Sequence, residues 1–404
     1  MGAVNSMRIA ITGATGLLGR HLLFEVLEKN FDQLENLEVI LFGRPQNGIS
    51  LKDRFDHIVS EGIADYLKGG KEDREEIKKR VDKRLVFIPF DLTRYKLGLF
   101  PEVVQYLQKC KIDYFFHAAA LSDFRNSPKI TAMLFNTNLD GTKRILDLIK
   151  DLQIGEFVYT GSAYSAGFVE GGVSPDFINT SGKFRNPYER SKLEAEISIV
   201  QFAREHNLRY RIFRLTGIGG RLLIEPIGKI TKYDIFYGWA LFFFRQKMKR
   251  VKDIANIYAE RVEMPIRIKV NLRGGMNVVP VDYAAKVIYA ASLHNDEHSH
   301  YHLVNDIDIP NAEHVKIMLE ALNIHGWTLV EKEPRDKNPL ELLYYRSVGN
   351  IFTPYVATGP VKYNNSNLAG LHKKIGYNCP PMDEKNFKKL IHYAKNKYFD
   401  SLAV

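Results

Sequence analysis

Three side chains in the middle of the 404-residue sequence have the types and spacing to move a proton at a carbonyl oxygen. Tyr188 and Lys192, in Asn186-Pro-Tyr-Glu-Arg-Ser-Lys-Leu-Glu-Ala-Glu196, stand four apart and so share one face of a predicted helix. A tyrosine at its ordinary pKa of ~10 is a weak acid–base group at neutral pH, and a neighbouring ammonium favours its ionised form. The lysine can also bind a nicotinamide ribose. Ser162 closes the apolar run Glu156-Phe-Val-Tyr-Thr-Gly-Ser-Ala163, where strand gives way to loop, and adds a hydroxyl able to bond the same oxygen. Ser162, Tyr188 and Lys192 are the catalytic candidates.

Such a set needs a scaffold that brings a redox cofactor to it, and the N-terminal stretch reads as one. Ile9, Ala10 and Ile11 form a short buried strand, and Leu17, Leu18, Leu22, Leu23, Val26 and Leu27 the stripe of a helix. Between them lies Thr-Gly-x-x-Gly-x-x-Gly. Gly13 permits the sharp turn, Gly16 lets backbone N–H groups approach a pyrophosphate, and Gly19 lets the helix pack closely. Thr12, Gly13, Thr15, Gly16, Leu17 and Gly19 are the candidate contacts of this cradle, at a helix N-terminus that favours anions. A second strand, 37–44, ends in Arg44, which suits a 2′-phosphate where an acid would suit a ribose hydroxyl. The cofactor expected is therefore NADP(H).

Asp91 and Leu92 follow a third strand at 85–89; Asp91 is placed either to meet an adenine amino group or to cap the next helix. A fourth strand, 113–120, ends in Ala118 and Ala119, small enough for a nicotinamide ribose to come close. His117 beside them reads as packed in place. Asn138, at the start of a predicted helix, reads as structural or as the holder of a proton-relay water. The fifth strand is 156–163, the sixth 210–217 and another 301–305. Strands alternating with helices predict an α/β fold with a doubly wound parallel sheet.

Two stretches break that rhythm. Residues 45–84 are charged and helix-rich, and form either an insertion on the cofactor-side rim or an elaborated crossover. Residues 225–277 contain Tyr233-Asp-Ile-Phe-Tyr-Gly-Trp-Ala-Leu-Phe-Phe-Phe244, followed by Arg245, Lys247, Lys249, Arg250 and Lys252. Three readings fit: an apolar lid or acyl channel with a basic mouth for a phosphate-bearing carrier, a helix lying on a membrane surface, or a core helix with a solvated basic end. Asp282 reads as a helix cap. The expected organisation is a nucleotide-binding domain at 7–224 and 278–308, with a substrate lobe at 225–277 and 309–404.

Composition narrows the partners. The formal net charge is +10, spread in short clusters without aromatic interleaving, so nucleic acid is not expected; an acidic protein or an anionic membrane face suits it better. Cys110 and Cys379 lie far apart without His or Cys at ligand spacing, which implies no metal site and no disulfide framework, and fits a reducing, cytoplasmic location. No apolar run approaches the ~20 residues that span a bilayer. Met1-Gly-Ala-Val-Asn-Ser6 matches a myristoylation pattern, although Met7 before the first strand makes residues 1–6 equally a leader or remnant.

Taken together, the motifs resemble the extended short-chain dehydrogenase/reductases, and within them the thioester-reductase and fatty acyl-CoA reductase branch. The resemblance spans residues 8–305. It rests on Thr12–Gly19, Arg44, the long insertion before Phe90-Asp-Leu92, His117-Ala-Ala-Ala120, Thr160-Gly-Ser-Ala-Tyr164, Tyr188 with Lys192, Val279-Pro-Val-Asp-Tyr283 and Tyr301-His-Leu-Val-Asn305. It departs in the Asn-Pro before Tyr188 and the Leu after Lys192. The resemblance implies a Rossmann domain with a smaller, mainly helical C-terminal lobe. It also implies NADPH-dependent reduction of an acyl thioester, on coenzyme A or an acidic carrier protein, to an aldehyde or alcohol. A homodimer is among the oligomeric states it allows. A sugar-nucleotide epimerase or dehydratase and a non-catalytic NADP(H)-sensing protein are the alternatives.

Overall fold

The computed structural model describes residues 6–67, 73–295 and 297–400. The N-terminal myristoylation match, apart from Ser6, lies outside the described residues, as do 68–72 of the stretch between the second and third strands. Seven parallel strands form the central sheet: β1 (Met7–Thr12), β2 (Leu37–Gly43), β3 (Leu85–Pro89), β4 (Lys111–His117), β5 (Gln153–Ser162), β6 (Tyr210–Leu215) and β7 (His300–Leu303). Their order is β7-β6-β5-β4-β1-β2-β3. Ile9 pairs with Val39 on one side and Tyr114 on the other, so the order reverses between β1 and β4. That reversal opens a crevice beyond the strand ends, where this class of sheet binds ligands.

The sheet exists because its strands can be buried on both faces. Ile9, Ala10, Ile11, Val39, Ile40 and Leu41 have no exposed surface. On one face, Leu22, Leu23 and Val26 of the helix Leu17–Lys29 pack with the helix Val281–Leu293. The stretch after β2 belongs to this layer: Phe55, Ile58 and Ile63 of the helix Leu51–Tyr66 are buried in the same core. It is an elaborated crossover. Its contact is so close that a Cβ on Gly62 would lie 1.8 Å from the Phe24 ring.

A second core forms around the helix Phe236–Met248, where Phe236, Tyr237, Trp239, Phe243 and Phe244 are buried. Against it pack the helices Asn311–Ala321 and Glu384–Asn396 and a parallel strand pair, Val262–Lys269 with Ile324–Val330. The sequence reading did not foresee that pair. Val262, Met264, Ile266 and Ile268 alternate inward, but their partner strand lies about sixty residues away.

Three local expectations change. β4 stops at His117, and Ala118–Ala120 turn out of the sheet, because Gly13 abuts them: a Cβ on Gly13 would lie 2.6 Å from Ala119 N. Asn138 sits inside a π-helical turn, Phe135–Asp140, within a helical run rather than at its start. Asp282 does more than serve the helix start: its carboxylate accepts the first-turn N–H of Tyr283 (3.0 Å) and also those of Leu222, Leu223 and Ile224 at 2.7–3.2 Å, which pins that loop to the helix.

Candidate active site

The crevice at the strand ends is a cleft of about 550 Å³. Its floor is the glycine turn. A Cβ on Gly19 would lie 2.3 Å from Gly13 O, and one on Gly16 would lie 3.1 Å from it, so the turn and helix start close up as only glycine allows. Gly13, Thr15, Gly16, Leu17 and Gly19 line the cleft, as do Arg44, Asp91, Leu92, Ala118 and Ala119. These residues fit a dinucleotide: bare backbone for a pyrophosphate, small residues beside it, and cations at the far end.

Two candidates stand behind that lining. Thr12 Oγ1 accepts the N–H of Ala119 (3.2 Å) and donates to His117 Nδ1 (2.8 Å); His117 Nε2 then donates to Thr142 Oγ1 (3.0 Å), which donates to Asn138 O (2.6 Å). Burial, with Lys192 nearby, pushes the His117 pKa down to about 3, so it is a neutral strut. Asn138 accepts from Leu121 N (2.8 Å) and donates to Leu121 O and Ser191 Oγ, both 3.0 Å. Its amide is fully engaged, tying the 118–122 loop to the Tyr188 helix.

The catalytic candidates meet at the opposite end. The helix Pro187–His206 starts on Asn186, whose side chain caps Glu189 N, with Pro187 in the first turn. That start fixes Tyr188 and Lys192 one turn apart over the end of β5, and both line the cleft with Ser162. Ser162 and Tyr188 are hydrogen-bonded, and Ser162 Oγ also accepts Tyr164 N–H at 3.2 Å. Lys192 Nζ donates to Thr160 O (2.7 Å) and lies 4.2 Å from the Tyr159 ring centroid. Burial pushes Tyr188 up to about 12 against the Ser162 bond, and pushes Lys192 down to about 7 against the pull of Glu196. Burial therefore outweighs the expected lowering of the tyrosine.

At the adenosine end, Arg44 is 3.9 Å from the Asp91 carboxylate. Asp91 Oδ1 accepts from Thr93 N (2.9 Å) and Oγ1 (2.7 Å), so it caps its own turn while facing the cleft. Arg54, which the sequence reading passed over, lines the same end and donates to Arg44 O (2.5 Å). Its signal was present in Leu51-Lys-Asp-Arg-Phe55, a basic residue one turn into the helix after β2.

An apolar cavity of about 90 Å³ adjoins the cleft, and Phe124, Tyr164 and Ile235 line both. Phe124 packs at a tilt against Tyr188 (ring centroids 4.9 Å) and edge-on to Tyr355 (5.8 Å). The aromatic run resolves accordingly. Phe236 and Trp239 reach the cavity, and the rest of the helix is core, which leaves no aromatic face for a membrane. Arg245, Lys249, Arg250 and Lys252 are exposed, whereas Lys247 is buried and donates to Glu260 O (2.6 Å) and Leu322 O (2.5 Å). Among the described residues no helix is long and apolar enough to cross a membrane.

Comparison with known proteins gives the family and the fold. The chain is 23% identical over 401 residues to a component of the linear gramicidin synthase of Brevibacillus parabrevis, a match that spans 95% of the chain but 7% of that synthase component. Its fold is similar to the terminal R domain from the myxalamid PKS-NRPS biosynthetic pathway (TM-score 0.72, 20% identity, covering 98% of this chain and 92% of that one). It is also similar to a thiolation-reductase di-domain from an archaeal non-ribosomal peptide synthetase (TM-score 0.66, 18% identity, 98% and 76%). The family model described as male sterility protein matches residues 11–288, more than half of the chain. The chain thus belongs to that family: it is an extended short-chain dehydrogenase/reductase of the thioester-reductase type, built on an NAD(P)-binding domain.

Proposed function

We propose that the chain is an NADPH-dependent reductase of an acyl thioester borne by coenzyme A or a carrier protein. The observation that carries this reading is the meeting of Ser162, Tyr188 and Lys192 at the end of the dinucleotide cleft that adjoins an apolar cavity. When bound, the reduced nicotinamide supplies a hydride. Ser162 and Tyr188 donate hydrogen bonds to the carbonyl oxygen as charge develops on it, where fixed donors act most strongly. Tyr188 gives up its proton to that oxygen, and Lys192, anchored on Thr160 O one helical turn away, in its protonated form stabilises the resulting tyrosinate. The thiohemiacetal collapses to free thiol and aldehyde, which is the product or, with a second NADPH, the precursor of the alcohol.

Arg44 and Arg54 favour a 2′-phosphate, hence NADPH. The +10 charge suits an acidic carrier, and the relatives' printed descriptions, a terminal R domain and a thiolation-reductase di-domain, support a carrier-borne substrate. In this reading residues 7–224 and 278–308 form the cofactor domain, and 225–277 with 309–404 form the substrate lobe that supplies most of the acyl cavity's wall.

The test is NADPH oxidation against a panel of acyl-CoA and acyl-carrier thioesters, with UDP- and GDP-sugars as controls. The wild type should oxidise NADPH with one thioester class. Tyr188→Phe should be inactive yet still bind NADPH, and retained turnover would remove Tyr188 from the mechanism. A sugar nucleotide isomerised without net oxidation would move the chain to the epimerase alternative.

A further inference from the structure

The cavity beside Tyr188 is not a plain hydrocarbon slot. Its walls are aromatic, with Trp239, Phe352 and Tyr355 among them, but Asp308 also faces it. Asn277 Nδ2 holds Asp308 Oδ1 at 2.6 Å and also donates to Asn305 O (2.8 Å). Asn277 Oδ1 in turn accepts from Thr216 Oγ1 (2.6 Å) and Asn305 N (3.0 Å). The amide is saturated, so the carboxylate it pins cannot easily turn away. Thr216 lines the cofactor cleft, and the chain Thr216–Asn277–Asp308 therefore links the cofactor side to the cavity. Asp308 Oδ2 takes no hydrogen bond among the described residues.

The cation on the wall is already committed. Arg185 Nη1 donates to Gly167 O (2.7 Å) and Glu189 Oε1 (3.3 Å), Nε donates to Pro354 O (3.2 Å), and the guanidinium lies 5.2 Å from the Tyr355 ring centroid. Most of the guanidinium is engaged in holding the wall, and Nη2 alone takes no hydrogen bond among the described residues. Size adds a second constraint. At about 90 Å³ the cavity is smaller than the ~150 Å³ of one that admits benzene, so a long alkyl chain does not fit within it. Half-buried Asp308 thus offers a carboxylate oxygen beside mostly apolar walls, where a donor on a bound group would pair with it.

We propose that this cavity selects a compact acyl group bearing a hydrogen-bond donor, an amine or a hydroxyl, which docks on Asp308 Oδ2. The assignment rests on the thioester-reductase reading and adds its substrate class. Burial raises the Asp308 pKa against the pull of the Asn277 hydrogen bond.

The experiment compares γ-aminobutanoyl, γ-hydroxybutanoyl and pentanoyl groups, which are matched in size. Each is presented as a pantetheine thioester for NADPH oxidation, and as the non-reducible pantetheine amide for isothermal titration with NADPH present. At least one donor-bearing amide should bind about tenfold more tightly than the pentanoyl amide. Asp308→Leu should erase or reverse that preference. The isosteric Asp308→Asn, which guards against misfolding, should weaken the aminobutanoyl amide about tenfold and leave the pentanoyl amide unchanged. Equal binding of all three amides, binding of none, or a preference untouched by both variants would overturn the assignment. If the binding preference holds but no thioester is reduced, the reductase reading fails and the cavity assignment stands.

Discussion

Tyr188 pushed up to about 12 is fully protonated at neutral pH, the state a proton donor in a reduction requires. Recognition at the other end of the cleft depends on a similarly local arrangement. Arg44 is largely exposed, but Arg54 is anchored on its carbonyl and brings a second guanidinium alongside. Burial and that neighbour lower the Arg54 pKa, and an added dianion would relieve the repulsion. Replacing both arginines with alanine should weaken NADPH binding by about tenfold to a hundredfold while leaving NADH nearly unchanged, as cofactor fluorescence titration would read. An equal loss for both cofactors would place the arginines outside 2′-phosphate recognition. Arg44 was legible because it ends a strand at a fixed distance from the glycine turn. Ser162, Tyr188 and Lys192 were legible for the same reason, since one strand end and one helical turn contain them. Asp308 and Tyr355 were not, because they reach the site from segments more than a hundred residues beyond Tyr188, which no local spacing records.

Helices and strands show the same division between local and distant information. The apolar stripe of Leu17–Lys29 and the order of strands could be read from period and punctuation. The strand pair Val262–Lys269 and Ile324–Val330 could not, because pairing is decided across the intervening helices. The charged stretch after β2 reads in sequence as either a rim insertion or an elaborated crossover, and Phe55, Ile58 and Ile63 decide for the crossover by making the helix Leu51–Tyr66 part of the core. Gly62 permits this by letting the helix sit against Phe24, which stacks on Tyr66 with ring centroids 5.1 Å apart. Gly62→Ala should therefore cost about 1–3 kcal/mol in urea unfolding despite alanine's better helix propensity. A variant as stable as the wild type would mean that the helix can slide outward without loss.

Across the whole molecule, hydrophobic cores lie on both faces of the sheet and around the aromatic helix, and buried groups among them resist protonation. His314 in the second core is the simplest case. Its Nε2 donates to Asn311 Oδ1 (3.1 Å), its buried Nδ1 has no partner among the described residues, and Trp239 and Phe387 pack against the ring. Burial alone pushes its pKa from 6.5 down to about 3. Above pH 6.5 the histidine is neutral in both folded and unfolded chains and costs nothing. Below that pH the unfolded chain takes up a proton that the folded one refuses, so the stability this site supports drains away as pH falls toward 3. His314→Leu removes the penalty, although it leaves Asn311 Oδ1 without its donor. The stability difference between wild type and variant should thus shift toward the variant as pH falls, by on the order of 2–3 kcal/mol two pH units below 6.5. Chemical denaturation at matched pH values would measure it. A difference that does not move with pH would mean that water reaches the imidazole and that the second core is less closed than its packing implies.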